Sequence, residues 1–180
     1  HKIYGVNPDI LILGKALGNG YAINAIIGKK EIMKFANNSF ISSTFWTEKI
    51  GYVAALKTIE IMKKTKSWIK ITKLGKLIKK KWKLLAKRNH LDIDIMGLDQ
   101  IPLFKFKSPN NLKYKTFITQ EMLKNNILAT NMVYINIFHK NKIIKKYKKV
   151  LEKIFFNISQ KKIKKLLKTK VCYKPINRIN

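Results

Sequence analysis

Glycine is spread unevenly along this chain, and its placement constrains the fold more than any other feature. Five of the eight glycines fall in the first 35 residues, at positions 5, 14, 18, 20 and 28. They bracket two short apolar runs. Ile10-Leu11-Ile12-Leu13, bounded by Pro8 and Gly14, predicts a buried strand, and Ala22 to Ile27, closed by Gly28, predicts a second. A short helix is expected from about Lys29 to Phe35. Between the strands runs Gly14-Lys15-Ala16-Leu17-Gly18-Asn19-Gly20, a loop whose glycines let other backbone or a ligand approach closely.

Beyond it the pattern turns helical. Asn37 to Thr47 is polar and hydroxyl-rich, and a helix is expected from about Thr47 to Lys64, with Ile50, Val53, Ala54, Ile61 and Met62 at helical spacing and Thr47 as its cap. A second helix is expected from about Lys66 to Arg88, with Ile71, Leu74, Leu77, Ile78 and Leu85 on one stripe. Ile93 to Leu98 and Ile101 to Lys107 alternate as strands do. Thr116 to Asn125 reads as helix, Ile127 to Phe138 as an extended strand, and Asn141 to Phe156 as an amphipathic helix. The expected organisation is α/β: residues 1–64 carry the chemistry-rich loops, and residues 65–180 hold a long connecting helix and a small α+β domain. No internal repeat is visible.

Charge needs its own explanation. The formal net charge is +30, carried by 37 lysines and only two arginines, Arg88 and Arg178. Lys, Ile and Asn fill 81 of the 180 positions, and all three have A/T-rich codons, so compositional drift accounts for the bias without a ligand. Nucleic-acid readers rely on the planar fork of Arg, which a lysine does not supply, so only non-specific attraction to nucleic acid is expected. With 46% hydrophobic residues the chain can form a core, which excludes disorder throughout. Cys172 is the only cysteine and cannot form an internal disulfide, which points to a reducing cytoplasm. No run approaches the ~18 apolar residues of a membrane span. The first residue is His1 with no leader pattern behind it, so the opening is read as an interior point of a longer protein.

Two places can carry chemistry. Lys15 directly follows a predicted strand, lies between Gly14 and Gly18, and has Leu13, Ala16 and Leu17 beside it. A lysine in partly desolvated surroundings loses its preference for the charged form, and the neutral amine condenses with aldehydes. The alternative is an ordinary loop lysine; the phosphate-binding GxxxxGK[ST] frame is absent. Ser42-Ser43-Thr44 precedes a predicted helix, where hydroxyls, free amides and the helix dipole suit a phosphate; simple capping is the alternative. His1, His90, His139 and Cys172 lack metal-ligand spacing, so no metal is expected. His139 reads as capping or packing, and Trp68 and Trp82 as packing on an amphipathic helix.

Taken together, Tyr4-Gly5-Val6-Asn7-Pro8-Asp9-Ile10, Gly14-Lys15-Ala16-Leu17-Gly18-Asn19-Gly20-Tyr21 and Ala25-Ile26-Ile27-Gly28 closely resemble the lysine-bearing segment of class III aminotransferases. These are pyridoxal-phosphate (PLP) enzymes of fold type I. The likeness is strongest to the branch containing glutamate-1-semialdehyde 2,1-aminomutase. Phe40-Ile41-Ser42-Ser43-Thr44-Phe45-Trp46 resembles the family's Thr-containing phosphate loop, and Ala54-Ala55-Leu56-Lys57-Thr58 the helix behind it. Phe117 to Leu123, Ile127-Leu128-Ala129 and Phe138-His139 resemble its small C-terminal domain. The likeness is weakest from about Lys64 to Lys115.

The resemblance implies the C-terminal part of a fold-type-I enzyme, with residues 1–64 ending the large domain and residues 65–180 forming the connecting helix and small domain. It implies that Lys15 bonds PLP and moves the substrate proton, and that Thr44, with Ser43, binds the cofactor phosphate across a homodimer interface. The reaction implied is transfer of an amino group between an amino acid and a carbonyl substrate. The alternatives are a 2,1-aminomutase acting on glutamate 1-semialdehyde, or an inactive basic remnant that binds polyanions. The family's ring-nitrogen Asp and stacking aromatic precede the lysine segment and have no counterpart in this chain; Asp9 belongs to the lysine strand. The chain alone is therefore expected to be inactive.

Overall fold

The computed structural model describes residues 1–173 and divides the chain into two compact units, His1–Lys66 and a second that begins at Ser67. The first unit is built on an antiparallel hairpin of β1 (Ile10–Leu13) and β2 (Ala25–Gly28), paired from Ile10 with Gly28 to Leu13 with Ala25. At its open end Lys29 Nζ meets Asp9 Oδ1 at 2.6 Å, and the Lys29 amide donates to the Asp9 carbonyl at 3.0 Å. Asp9 thus ties the hairpin together. A single helical turn, α1 (Lys30–Met33), continues into a 3-10 turn at Lys34–Asn38, and α2 (Ile50–Thr65) completes the unit.

Two expectations change here. The strands are not buried: Ile12 is 71% and Ile26 58% exposed, because a two-stranded ribbon leaves its faces open unless another layer covers them. The helix expected from Thr47 starts at Ile50, and Thr47 does not cap it. The Glu48 carboxylate accepts from the Ile50 amide at 2.6 Å and the Gly51 amide at 3.2 Å, satisfying two of the four orphan donors of the first turn. The helix closes at Lys66, in the left-handed conformation with φ 48°.

The second unit holds the hydrophobic core. It comprises α3 (Ser67–Arg88), β3 (Ile93–Met96), β4 (Leu103–Phe106), α4 (Asn111–Lys124), α5 (Asn141–Ser159) and α6 (Ile163–Leu166). Strand β4 alternates as a half-buried strand must: Phe104 and Phe106 point inward and Lys105 outward. Helix α5 sorts the same way at helical spacing, burying Ile144, Tyr147, Leu151, Ile154, Phe155 and Ile158 while its lysines stay outside. Trp82 of α3 meets Phe104 edge-on at 4.8 Å, and Phe104 meets Phe155 at 5.6 Å. Each such ring contributes about 1.5–3 kcal/mol by burial. The Trp82 indole N–H donates to the Tyr147 hydroxyl at 2.9 Å, so the one polar atom of that ring is satisfied.

Segments between these elements depart from expectation for identifiable reasons. Helix α4 begins at Asn111, five residues before the expected start. The Asn111 side chain accepts from the Phe106 amide at 3.0 Å, joining the helix to β4. Ile127 to Phe138 is not a strand; it meets β4 at the bridge between Leu103 and Met132, where the Phe104 amide donates to the Asn131 carbonyl at 3.0 Å and Asn131 Nδ2 to the Phe104 carbonyl at 2.7 Å. Val133 and Ile135 donate to the carbonyls of Pro102 and Gln100, but Pro102 has no amide to return, so the ladder cannot propagate. Buried Gln120 is bonded at both ends of its amide, giving to the Leu166 carbonyl and accepting from the Lys168 amide. No helix of the described residues is long and apolar enough to cross a membrane.

Candidate active site

Strand β1 delivers the chain into the glycine loop. Gly14 is fully extended, and the next residue, Lys15, takes φ 47°, a left-handed conformation that costs an L-residue roughly 1–2 kcal/mol. A 3-10 turn at Lys15–Leu17 follows, closed by the Leu17 amide on the Gly14 carbonyl at 3.1 Å. Gly18 is buried because the chain folds back on it: a Cβ there would lie 2.8 Å from the Ile23 side chain and would overlap the Tyr21 carbonyl. The hairpin therefore projects a strained lysine from its tip. Strain of this kind persists only where the surroundings hold it, and it gathers at functional positions.

Lys15 opens onto a cavity of about 650 Å³ whose wall includes Tyr21, Asn24, Ser43, Trp46, Glu48 and Tyr52. Its amine has no hydrogen-bond or ion-pair partner among the described residues. The partly desolvated setting expected for it is not present: Lys15 is exposed, for the same reason that β1 is.

Ser43 and Thr44 part company. Ser43 lies on the cavity wall and its hydroxyl accepts from the Phe45 amide at 3.4 Å, whereas Thr44 is not among the lining residues. Neither sits at the helix start. Thr44 opens a turn running to Thr47, and the amides that would have received a phosphate at the start of α2 are bonded to Glu48 instead. Helix α2 packs on the Lys15–Leu17 turn, and Gly51 lets it approach the segment beyond that turn: a Cβ there would lie 2.8 Å from the Ala22 carbonyl oxygen and 3.2 Å from the Ile23 Cβ.

Tyr21, Asn24, Trp46, Glu48 and Tyr52 were not singled out by sequence reasoning. For Glu48 a signal existed: an acidic residue just before an apolar helical pattern complements the positive helix end. The aromatic residues carried no periodic mark. Far from this cavity in sequence, His139 lies in the turn before α5, its Nδ1 accepting from the Asn136 amide at 3.4 Å, and partial burial pushes its imidazole below the usual histidine range. Among the described residues no three His, Cys, Asp or Glu side chains converge as a metal site would require.

The profile of the class-III aminotransferases matches residues 1–157. The chain belongs to this family. It is 32% identical over 130 residues to the 3-aminobutyryl-CoA aminotransferase of Cloacimonas acidaminovorans (strain Evry), covering 70% of this chain and 31% of that protein. It is 28% identical over 145 residues to the glutamate-1-semialdehyde 2,1-aminomutase of Saccharolobus islandicus (strain L.S.2.15 / Lassen #1), covering 75% of this chain and 34% of the relative. The family member therefore spans about a third of the length of these curated relatives.

In fold it is similar to the FumI protein of Sphingopyxis sp. MTA144, solved in its PLP internal aldimine form. The TM-score is 0.78 at 18% identity, over 94% of this chain and 41% of that one. The architecture is that of fold-type-I PLP-dependent transaminases.

Proposed function

We propose that this chain is the lysine-bearing C-terminal part of a PLP-dependent aminotransferase that moves an amino group between an amino acid and a carbonyl substrate. One observation carries the reading: Lys15, whose amine has no partner among the described residues, lines the same cavity as Ser43. The donor set suits the cofactor. Lys15 offers an amine to the aldehyde and Ser43 a hydroxyl to a phosphate.

PLP, when bound, supplies the electron sink for carbon–hydrogen cleavage next to the amino group. Lys15 Nζ would have two tasks: to hold the cofactor, and as a free amine to take the proton from the substrate carbon and return it two atoms away, on the far side of the nitrogen. Thr44, with Ser43 beside it, serves the cofactor phosphate in the site of a second copy in a homodimer. Large and small domains of the family correspond to residues 1–64 and 65–180, and the single unpaired cysteine supports a cytoplasmic location.

The test is chemical. Borohydride reduction of the full-length protein with PLP, followed by peptide mapping, places the pyridoxyl group on Lys15; a label on another lysine overturns the assignment. Turnover of glutamate 1-semialdehyde without any second substrate identifies the mutase instead of the transferase.

A further inference from the structure

We propose that the outer face of α3 is a docking surface for the phosphate backbone of nucleic acid, on which Lys73, Lys76, Lys80, Lys83 and Lys87 each meet a phosphate without reading the bases. The surface lies wholly within the second unit and is independent of the chemistry at Lys15.

Helix α3 carries eight lysines and one arginine in 22 residues and no acidic residue, whereas α2, α4 and α5 each contain a glutamate. At about 100° per residue, the five named lysines fall within an arc of about 80° and form a row about 21 Å long. All five are exposed. The acids that could neutralise them are engaged elsewhere. Asp99 pairs with Lys79 at 2.9 Å and Glu152 with Arg88 at 3.7 Å, both cations outside the row, while Asp92 and Asp94 face Lys107 at 3.7 and 3.3 Å. Among the described residues none of the five has an ion-pair partner. Like charges three and four residues apart repel and destabilise a helix, so an anion laid along the row relieves a cost already present.

The row borders an open groove of about 460 Å³, walled by Lys76, Lys79, Lys80 and Lys83 and by Ile95 and Asp99. Compositional drift accounts for the number of lysines in the chain; the lack of any acid along α3 and the groove beside it are particular to this helix. Lysine neutralises phosphate as a point charge and does not fork onto base edges, so the contact is independent of sequence. A membrane surface would draw apolar residues of the helix into the lipid, but Ile78, Trp82 and Leu85 are committed to the core. A strand of phosphates asks only for a row of cations.

The test is anisotropy of a labelled duplex of about 20 base pairs with the full-length protein, between roughly 50 and 200 mM salt. Five phosphate contacts give a slope of about −4.5 in log affinity against log salt. The triple variant Lys76→Gln, Lys80→Gln, Lys83→Gln loses about 2.7 of that slope and binds more than a hundredfold more weakly at ~0.1 M salt. Lys142→Gln, Lys146→Gln, Lys149→Gln removes the same charge from the exposed face of α5 and leaves both nearly unchanged. Arginine at the three α3 positions keeps the affinity. Should the glutamine triple fail to fold, single Lys→Gln changes along the row each lower the slope by about 0.9. Equal losses in the two triples, or single changes without effect on the slope, show diffuse attraction by the whole chain and overturn the proposal. So does a wild-type protein that ignores the duplex at the lower salt, whether or not it binds phosphatidylserine vesicles.

Discussion

Gly75 lies within α3, and helix propensity alone recommends replacing it: Gly→Ala inside a helix stabilises by about 1 kcal/mol. The structure argues the opposite. The backbone of Asp99 crosses the helix so closely that a Cβ at position 75 would overlap the Asp99 carbonyl oxygen and lie 2.6 Å from its carbon. What must move is backbone, and that backbone is pinned to the same helix on both sides. Lys79 Nζ donates to the Gly97 carbonyl at 2.7 Å and pairs with Asp99 Oδ1 at 2.9 Å, while Gln100 Nε2 donates to Thr72 Oγ1 at 2.6 Å. Overpacking of this kind costs about 1–3 kcal/mol, and losing one or two of the pinning bonds adds about 1 kcal/mol each. Against the gain of ~1 kcal/mol in propensity, Gly75→Ala should destabilise the second unit by roughly 2 kcal/mol. For roughly a hundred residues, with an unfolding entropy near 2.1 cal/mol/K per residue, that lowers Tm by about 9 °C. Urea unfolding followed by tryptophan fluorescence measures it directly, since Trp82 is buried in this unit. A variant as stable as the parent, or more stable, would refute the close approach of Asp99 to α3.

Two further outcomes follow from named groups. Burial raises the Tyr147 phenol far above its usual value near 10, so the folded state keeps a proton that the unfolded chain releases. The associated stability is complete below pH ~10 and declines above it by up to ~1.4 kcal/mol per pH unit. Tyr147→Phe removes this part of the alkaline slope and loses about 1 kcal/mol at neutral pH with the Trp82 bond; identical alkaline slopes in the two proteins would contradict it. In the full-length enzyme, Thr44→Ala should weaken PLP retention by roughly 1.5–3 kcal/mol. Mixing those subunits with Lys15→Ala subunits should restore part of the activity, because each mixed dimer holds one site with neither defect. Mixed dimers that form and stay inactive would show that the two residues do not serve opposite sites.

Periodicity and glycine placement made some parts of this molecule legible and not others, and the difference is physical. Amphipathic helices such as α5 declare themselves because burial sorts side chains at every turn, and β4 does so because Phe104 and Phe106 flank an outward Lys105. Lys15 stood out because glycines surround it, and Ser43 because hydroxyls cluster beside it. Ile127 to Phe138 looked like a strand because its side chains suit one; its partner chain contains Pro102, and pairing depends on the partner's backbone. Gly75 gave no signal because its neighbour, Asp99, is twenty-four residues away in sequence.

The same reasoning shows what Glu48, which sequence reasoning passed over, holds together in the first unit. A two-stranded hairpin is at best marginally stable by itself, and β1 and β2 leave Ile12 and Ile26 exposed. The left-handed Lys15 at its tip must therefore be held by something outside the hairpin. Within this unit α2 packs against the lysine turn, and Gly51 lets the same helix sit close to Ala22 and Ile23 just after it. The first turn of that helix is stabilised by Glu48, whose loss would leave the Ile50 and Gly51 amides unpaired, and Gly51 is the residue seated against Ala22 and Ile23 just beyond the lysine turn. On the proposed function the amine belongs to the glycine loop, and the helix that packs on its turn starts at a carboxylate thirty-three residues further along the chain.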